Sequence, residues 1–122
     1  MSLFIILILS SFSAYSKSDN QKEKAIYLVA QISIKDYQEY MKRYGKPVTQ
    51  LLVDAGADIL VASRNGEVLE GEWSGNWTVI TKFPSKQAVK KWYNSKEYDY
   101  FKKMRVEELM DNGNIVLLPS LK

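Results

Sequence analysis

From Ala25 to Ile32 the chain is apolar at Ile26, Leu28, Ala30 and Ile32 and also at the intervening Tyr27 and Val29. Apolar side chains at both parities predict a strand covered on both faces. Ser33 and Asp36 then stand at capping-box spacing, with Asp in place of the usual Glu. The period changes there: Tyr37, Tyr40, Met41, Tyr44, Val48, Leu51, Leu52 and Ala55 fall on one side of a helix. Pro47 is expected to kink or interrupt that helix, and Gly56 to end it.

Asp58 to Arg64 reads as a second strand, and Asn65-Gly66 is a strong hairpin signal. Glu67 to Trp73 is expected to return as the other arm of the hairpin, with a bulge at Gly71 and a turn at Ser74-Gly75-Asn76. Trp77 to Phe83 has the β-branched and aromatic content of a main strand. Pro84-Ser85 opens a helix carrying Ala88, Val89, Trp92 and Tyr93 on one side, Asn94-Ser95 restarts it, and Asn112-Gly113 is expected to stop it before a final strand, Ile115 to Leu118. The order β-α-β-β-α-β is the ferredoxin-like, α+β arrangement: a four-stranded antiparallel sheet with helices on one face. Two helical segments cover one face of such a sheet, yet the strands are apolar on both, which predicts that a second copy buries the other face in a homodimer.

The first sixteen residues carry no charged side chain, and all seventeen basic and fourteen acidic residues follow them. Leu3 to Phe12 is apolar and Ala14-Tyr15-Ser16 fits the small-x-small rule, so residues 1–16 are read as a signal peptide cleaved after Ser16. The run is short for a permanent span, so no stable membrane span is expected once the leader is removed. Residues 17–24 form a polar linker, the folded domain covers 25–119, and the expected location is periplasmic or secreted.

Composition narrows the chemistry. The 122-residue chain has no cysteine and no histidine, which excludes disulfides, thiolate nucleophiles, an imidazole base and the usual zinc or haem ligands. No calcium-loop spacing, glycine-rich phosphate loop or Ser-x-x-Lys pattern is present, so neither a metal nor another cofactor is expected. The net charge of +3 gathers between Lys82 and Arg105, where it reads as a solvated helix face. A nucleic-acid partner is not expected without interleaved exposed aromatics and a recognised motif.

Leu69-Glu70-Gly71-Glu72-Trp73, Phe83-Pro84-Ser85 and Trp92-Tyr93-x-Ser95-x-Glu97-Tyr98, with Arg105 beyond, resemble in this order the signature blocks of a widespread small bacterial family. It is the domain-of-unknown-function family 1330, in the dimeric α+β barrel superfamily. The resemblance covers about Ile26 to Pro119. The family's tyrosine on the first helix and the proline after it are matched by Tyr40 and Pro47, whereas its frequent His-Gly-Gly appears here as Ala55-Gly56-Ala57. What the resemblance implies is the fold and the dimer. Superfamily relatives include monooxygenases and isomerases acting on small aromatic or lactone substrates, an analogy that does not fix function.

Arg105 is the first candidate site residue, because Phe101 and Leu109 one turn away on either side put its guanidinium on an apolar stripe. A buried arginine needs an anion. Two readings stand: an ion pair tying the last helix to the sheet or to the partner copy, or a clamp for a ligand carboxylate. Glu70 is the carboxylate expected to pair with it, and with Glu72 nearby it is also the weak candidate for a catalytic base. The Tyr37, Tyr40, Tyr44 stripe reads first as core, with Tyr40 the hydroxyl expected to reach a cavity. Trp73, flanking Glu70, is expected to wall a pocket at the dimer seam. The leading expectation is an exported homodimer binding a small carboxylate or aromatic ligand through Arg105, Tyr40, Glu70 and Trp73. The alternatives are a cofactor-independent oxygenase or isomerase with Glu70 as base, and a purely structural or interaction protein.

Overall fold

The computed structural model describes residues 23–122, and the leader expected at residues 1–16 lies outside them. Strand β1 (Ile26–Ile34) is the centre of the fold and buries every second residue, from Ile26 through Leu28, Ala30 and Ile32 to Ile34. Helix α1 (Tyr37–Tyr40) runs through a π-helical turn (Met41–Gly45) into α2 (Lys46–Asp54). Strands β2 (Asp58–Ser63) and β3 (Trp77–Phe83) follow, then α3 (Lys86–Tyr93) and α4 (Lys96–Met104), a second π-helical turn (Arg105–Leu109) and β4 (Met110–Pro119). The sheet order is β2-β3-β1-β4 and every neighbouring pair is antiparallel. This is the ferredoxin-like α+β arrangement.

Register assigns the two faces. Leu28 lies between Thr81 and Leu117, Ala30 between Val79 and Ile115, and Ile32 between Trp77 and Gly113, on the side that meets the helices. On the other side Val29 lies between Ile80 and Val116, and Tyr27 between Lys82 and Leu118. Val116 and Leu118 are about half exposed there. The core lies on the helix side, where Tyr40, Tyr44, Val48, Leu52, Val89, Trp92 and Tyr98 close over the sheet.

Three local expectations are corrected. The first helix is capped by Asp36, whose carboxylate accepts from the Glu39 N–H, while Ser33 stays in β1 and donates its hydroxyl to Asn112. The strand outlasts the capping-box pattern because Ser33 and Ile34 still pair with β4. The regular α-helix is interrupted just ahead of Pro47, as expected. The proline sits in the first turn of α2, after a π-turn that already leaves the regular i→i−4 pattern.

Glu67–Trp73 forms no strand and is exposed loop. Glycines at φ +76° (Gly71) and +96° (Gly75) turn the chain back instead. A side chain at Gly75 would meet the Ile32 carbonyl oxygen at 3.0 Å, so the return to β3 passes too close to β1 for any other residue. Asn112-Gly113 does not stop the helix either. The helical path ends at Leu109, and both residues lie within β4. Ser85 and Ser95 do cap α3 and α4, accepting from the Ala88 and Tyr98 N–H groups.

Candidate functional site

Tyr40 and Tyr44 are one turn apart across the first π-turn, and Tyr98 enters from α4, seven residues ahead of Arg105. All four side chains are buried. The Tyr44 and Tyr98 hydroxyls hydrogen-bond at 2.5 Å. The rings of Tyr40 and Tyr44 lie 5.1 Å apart, and Tyr98 packs on Trp92 at 4.1 Å. Tyr40 meets the edge of Trp77 at 6.2 Å.

Arg105 is 3% exposed. Its guanidinium carbon lies 5.6 Å from the centre of the Tyr44 ring, and Nη1 donates to Met110 Sδ at 3.1 Å. Among the described residues no carboxylate pairs with it: the ion pairs are Arg43–Glu108 at 2.9 Å and Lys102–Asp99 at 3.8 Å. Arg105 Nε has no hydrogen-bond partner among these residues.

Burial acts to lower the guanidinium pKa, but the phenol oxygens of Tyr44, Tyr98 and Tyr40 outweigh it and the net shift is upward, so the charge is retained. Burial raises the phenol pKa values of Tyr40, Tyr44 and Tyr98, with Arg105 opposing it in each case. At neutral pH the cluster is therefore one cation among protonated phenols. In the Tyr44–Tyr98 pair one hydroxyl donates to the other, which leaves the second proton free to donate elsewhere.

These tyrosines wall a cavity of about 110 Å³ between the helices and the sheet. Its floor includes Leu28, Ala30, Val79 and Thr81, and its roof Val48, Leu52 and Trp92. Thr49 and Ala62, both exposed, mark the side toward the edge strand β2. The lining is overwhelmingly apolar and holds no carboxylate and no lysine. Arg105 is not among the lining residues; it lies beside the Tyr44 ring and interacts with the phenol groups of Tyr44 and Tyr98.

Tyr40 does line the cavity, and Arg105 adjoins it from behind. Glu70 and Trp73 are elsewhere: both belong to the exposed loop after β2 and line a separate space of about 550 Å³ with Val61, Leu69 and Thr78. Trp73 Nε1 donates to Thr78 Oγ1 at 3.4 Å there. The loop lies on the open face of the sheet, because Thr78 pairs with Gln31 and Val61 with Ile80 on that side. The expected Arg105–Glu70 pair does not form.

Tyr44, Tyr98, Thr81 and Trp92 are site residues that sequence reasoning did not select. For Tyr98 a signal existed: the seven-residue spacing to Arg105 puts both on one helix face. Among the described residues no group of acidic, histidine or cysteine side chains could hold a metal ion, and no helix is long and apolar enough to cross a membrane.

With fold and cavity in view, the class of protein is set: a ferredoxin-like α+β domain with a small apolar chamber under its helices. Solved structures share the fold. A protein of unknown function from Rhodopseudomonas palustris superposes with a TM-score of 0.67 at 18% identity, covering 84% of this chain and 87% of its own. A Pseudomonas aeruginosa protein gives 0.52 at 16% identity, covering 83% and 98%. A candidate antibiotic biosynthesis monooxygenase from Caulobacter crescentus gives 0.50 at 21%, covering 83% and 93%. No curated protein matches the sequence. The family model described as Domain of unknown function (DUF1330) matches residues 25–119, and the chain belongs to that family.

Proposed function

We propose that the protein binds a small aromatic ligand bearing an oxygen acceptor, neutral or anionic, in the cavity between helices and sheet. The observation that carries this reading is Arg105, a buried cation with no carboxylate partner among the described residues, set behind two hydrogen-bonded tyrosines in the wall of an apolar chamber. A cation kept out of water costs several kcal/mol unless something compensates for it. Phenol oxygens compensate in part, and a ligand oxygen held by the spare Tyr44–Tyr98 proton would complete the chain of donors.

The oxygenase reading requires a base within reach of the bound ligand. Glu70, its candidate, lines the loop space on the other face of the sheet, so binding is the reading adopted.

Two further elements belong to the proposal. The open sheet face, with Val29 and Ile80 at its centre and Val116 and Leu118 half exposed, supports a homodimer in which a second copy covers that face. The charge-free apolar start of the chain supports export.

A thermal-shift panel of single-ring aromatic compounds tests the ligand reading. A compound present at about one hundred times its Kd stabilises the folded state by roughly 2.7 kcal/mol. The expected hits lose their shift in Tyr98→Phe protein. A panel without hits contradicts the proposal.

A further inference from the structure

The cavity reaches the surface beside Ala62, an exposed residue whose register against Val79 puts it on the helix-facing side of the edge strand β2. Ala62 and Trp77 line the cavity and also an adjoining space of about 300 Å³, which Tyr37, Ser63, Arg64 and Asn65 complete. Arg64 follows β2, two residues beyond Ala62, and its guanidinium carbon lies 4.3 Å from the centre of the Tyr37 ring. The Tyr37 ring lies 5.6 Å from Trp77, and Trp77 lies 6.2 Å from Tyr40. A row of aromatic rings therefore runs from Arg64 to the wall of the cavity.

Arg64 is held in place but not paired. The cation–π contact with Tyr37 restrains its side chain, yet among the described residues it makes no ion pair. The nearby Asp36 carboxylate accepts from the Glu39 N–H. Lys35 lines a further space of about 310 Å³ together with Arg64, and no carboxylate lines either space. The ground outside the opening is thus cationic, and a guanidinium offers a carboxylate two parallel N–H donors. Size points the same way. The chamber of about 110 Å³ is smaller than the roughly 150 Å³ cavity that takes benzene, so a ring seated in it extends to the opening. A substituent on that side of the ring lies outside the chamber, beside Arg64.

We infer that the cavity takes aryl alkanoic acids, with the ring in the chamber, its far oxygen at the Tyr44–Tyr98 pair, and the carboxylate outside on Arg64. This rests on the ligand-binding reading above and names the ligand class within it. Arg64 is then a specificity residue at the entrance, and Tyr37 positions it. The buried Arg105 takes no part in holding the carboxylate.

The test pair is 3-(4-hydroxyphenyl)propionate and its amide, equal in shape and differing in charge, titrated calorimetrically at low salt into the wild-type and Arg64→Gln proteins. The acid is expected to bind wild type roughly fivefold more tightly than the amide, the scale of an exposed ion pair. Arg64→Gln should remove that preference and leave amide affinity unchanged. The preference in wild type should also shrink in 0.5 M salt. Because Arg64 is exposed and unpaired, the thermal midpoint of the variant should hold, which separates a lost contact from a lost fold. Equal binding of acid and amide to wild type would overturn the inference and leave the cavity reading standing. A preference that survives in Arg64→Gln would place the carboxylate elsewhere and overturn it as well. Binding of neither compound would overturn both.

Discussion

Replacing Arg105 with methionine separates a structural arginine from a ligand-directed one. Were Arg105 half of a buried ion pair, its removal would strand a carboxylate and cost about 3–5 kcal/mol. The structure shows no such carboxylate among the described residues. What the variant gives up is a contact of Nη1 with Met110 Sδ and a distant cation–π interaction with Tyr44, the latter worth up to about 2 kcal/mol at a desolvated site. What methionine relieves is an unpartnered buried Nε–H, a burden of about 1–3 kcal/mol, together with part of the cost of keeping a charge out of water. Losing a donor to the phenol oxygens of Tyr44 and Tyr98 works in the opposite direction. The sum is close to neutral, within about 1 kcal/mol. For a domain of this size that is a shift of the thermal midpoint by no more than about 4–8 °C in either direction. Urea unfolding followed by tryptophan fluorescence measures it, and the same protein should bind the ligands of the cavity markedly less well. A loss of more than about 3 kcal/mol would refute the reasoning and restore the buried ion pair.

Other expectations follow from the same geometry. Tyr44→Phe or Tyr98→Phe should each cost about 1–3 kcal/mol by orphaning the remaining hydroxyl, and the double variant less than the sum by about 1 kcal/mol or more, which a double-mutant cycle in urea would show. Burial holds the phenol pKa values of Tyr40, Tyr44 and Tyr98 above their ordinary value of 10. Below pH 10 both folded and unfolded states keep these protons, so stability should not depend on them. Above it the unfolded chain loses protons that the native state retains, so stability falls by up to about 1.4 kcal/mol per pH unit per tyrosine. Absorbance at 295 nm against circular dichroism would show the three phenols ionising only as the fold is lost. Val116→Glu, on the open face of the sheet, should convert a dimer to a monomer in sedimentation velocity and leave the helix-side cavity intact.

How much of this was legible in the residues depends on where the signal is local. Strand β1 and the caps at Ser85 and Ser95 were plain because alternation and capping act within a few residues. The failed hairpin shows the limit. Asn65-Gly66 offers a tight turn, but the following segment leaves the sheet, and β3 takes its pairing with β2 from Thr78 onward. Positive φ at Gly71 and Gly75 turns the chain there, and a glycine does not announce which way it turns. Pro47 marks the place of the helix interruption but not its form, since a π-turn is a backbone adjustment with no side-chain signature.

Arg105 was found from its stripe because burial of one helix face is periodic. Its neighbours were not: Tyr44 and Tyr98 are 54 residues apart and meet only through the fold. The pairing with Glu70 was wrong because adjacency in a signature block is not adjacency in space. Glu70 and Arg105 belong to opposite faces of the sheet. Thr81 looked like an ordinary strand threonine, and only register shows that it points under the helices.

The measurement closest to the central claim is the indole region of a ¹H–¹⁵N spectrum during titration with a hit from the panel of single-ring aromatic compounds. The chain has three tryptophans: Trp77 and Trp92 line the cavity, and Trp73 lines the loop space on the other face of the sheet. Occupation of the cavity predicts saturable shifts of the Trp77 and Trp92 indole signals while Trp73 stays in place. Shifts confined to Trp73, or none at saturating ligand, would contradict it.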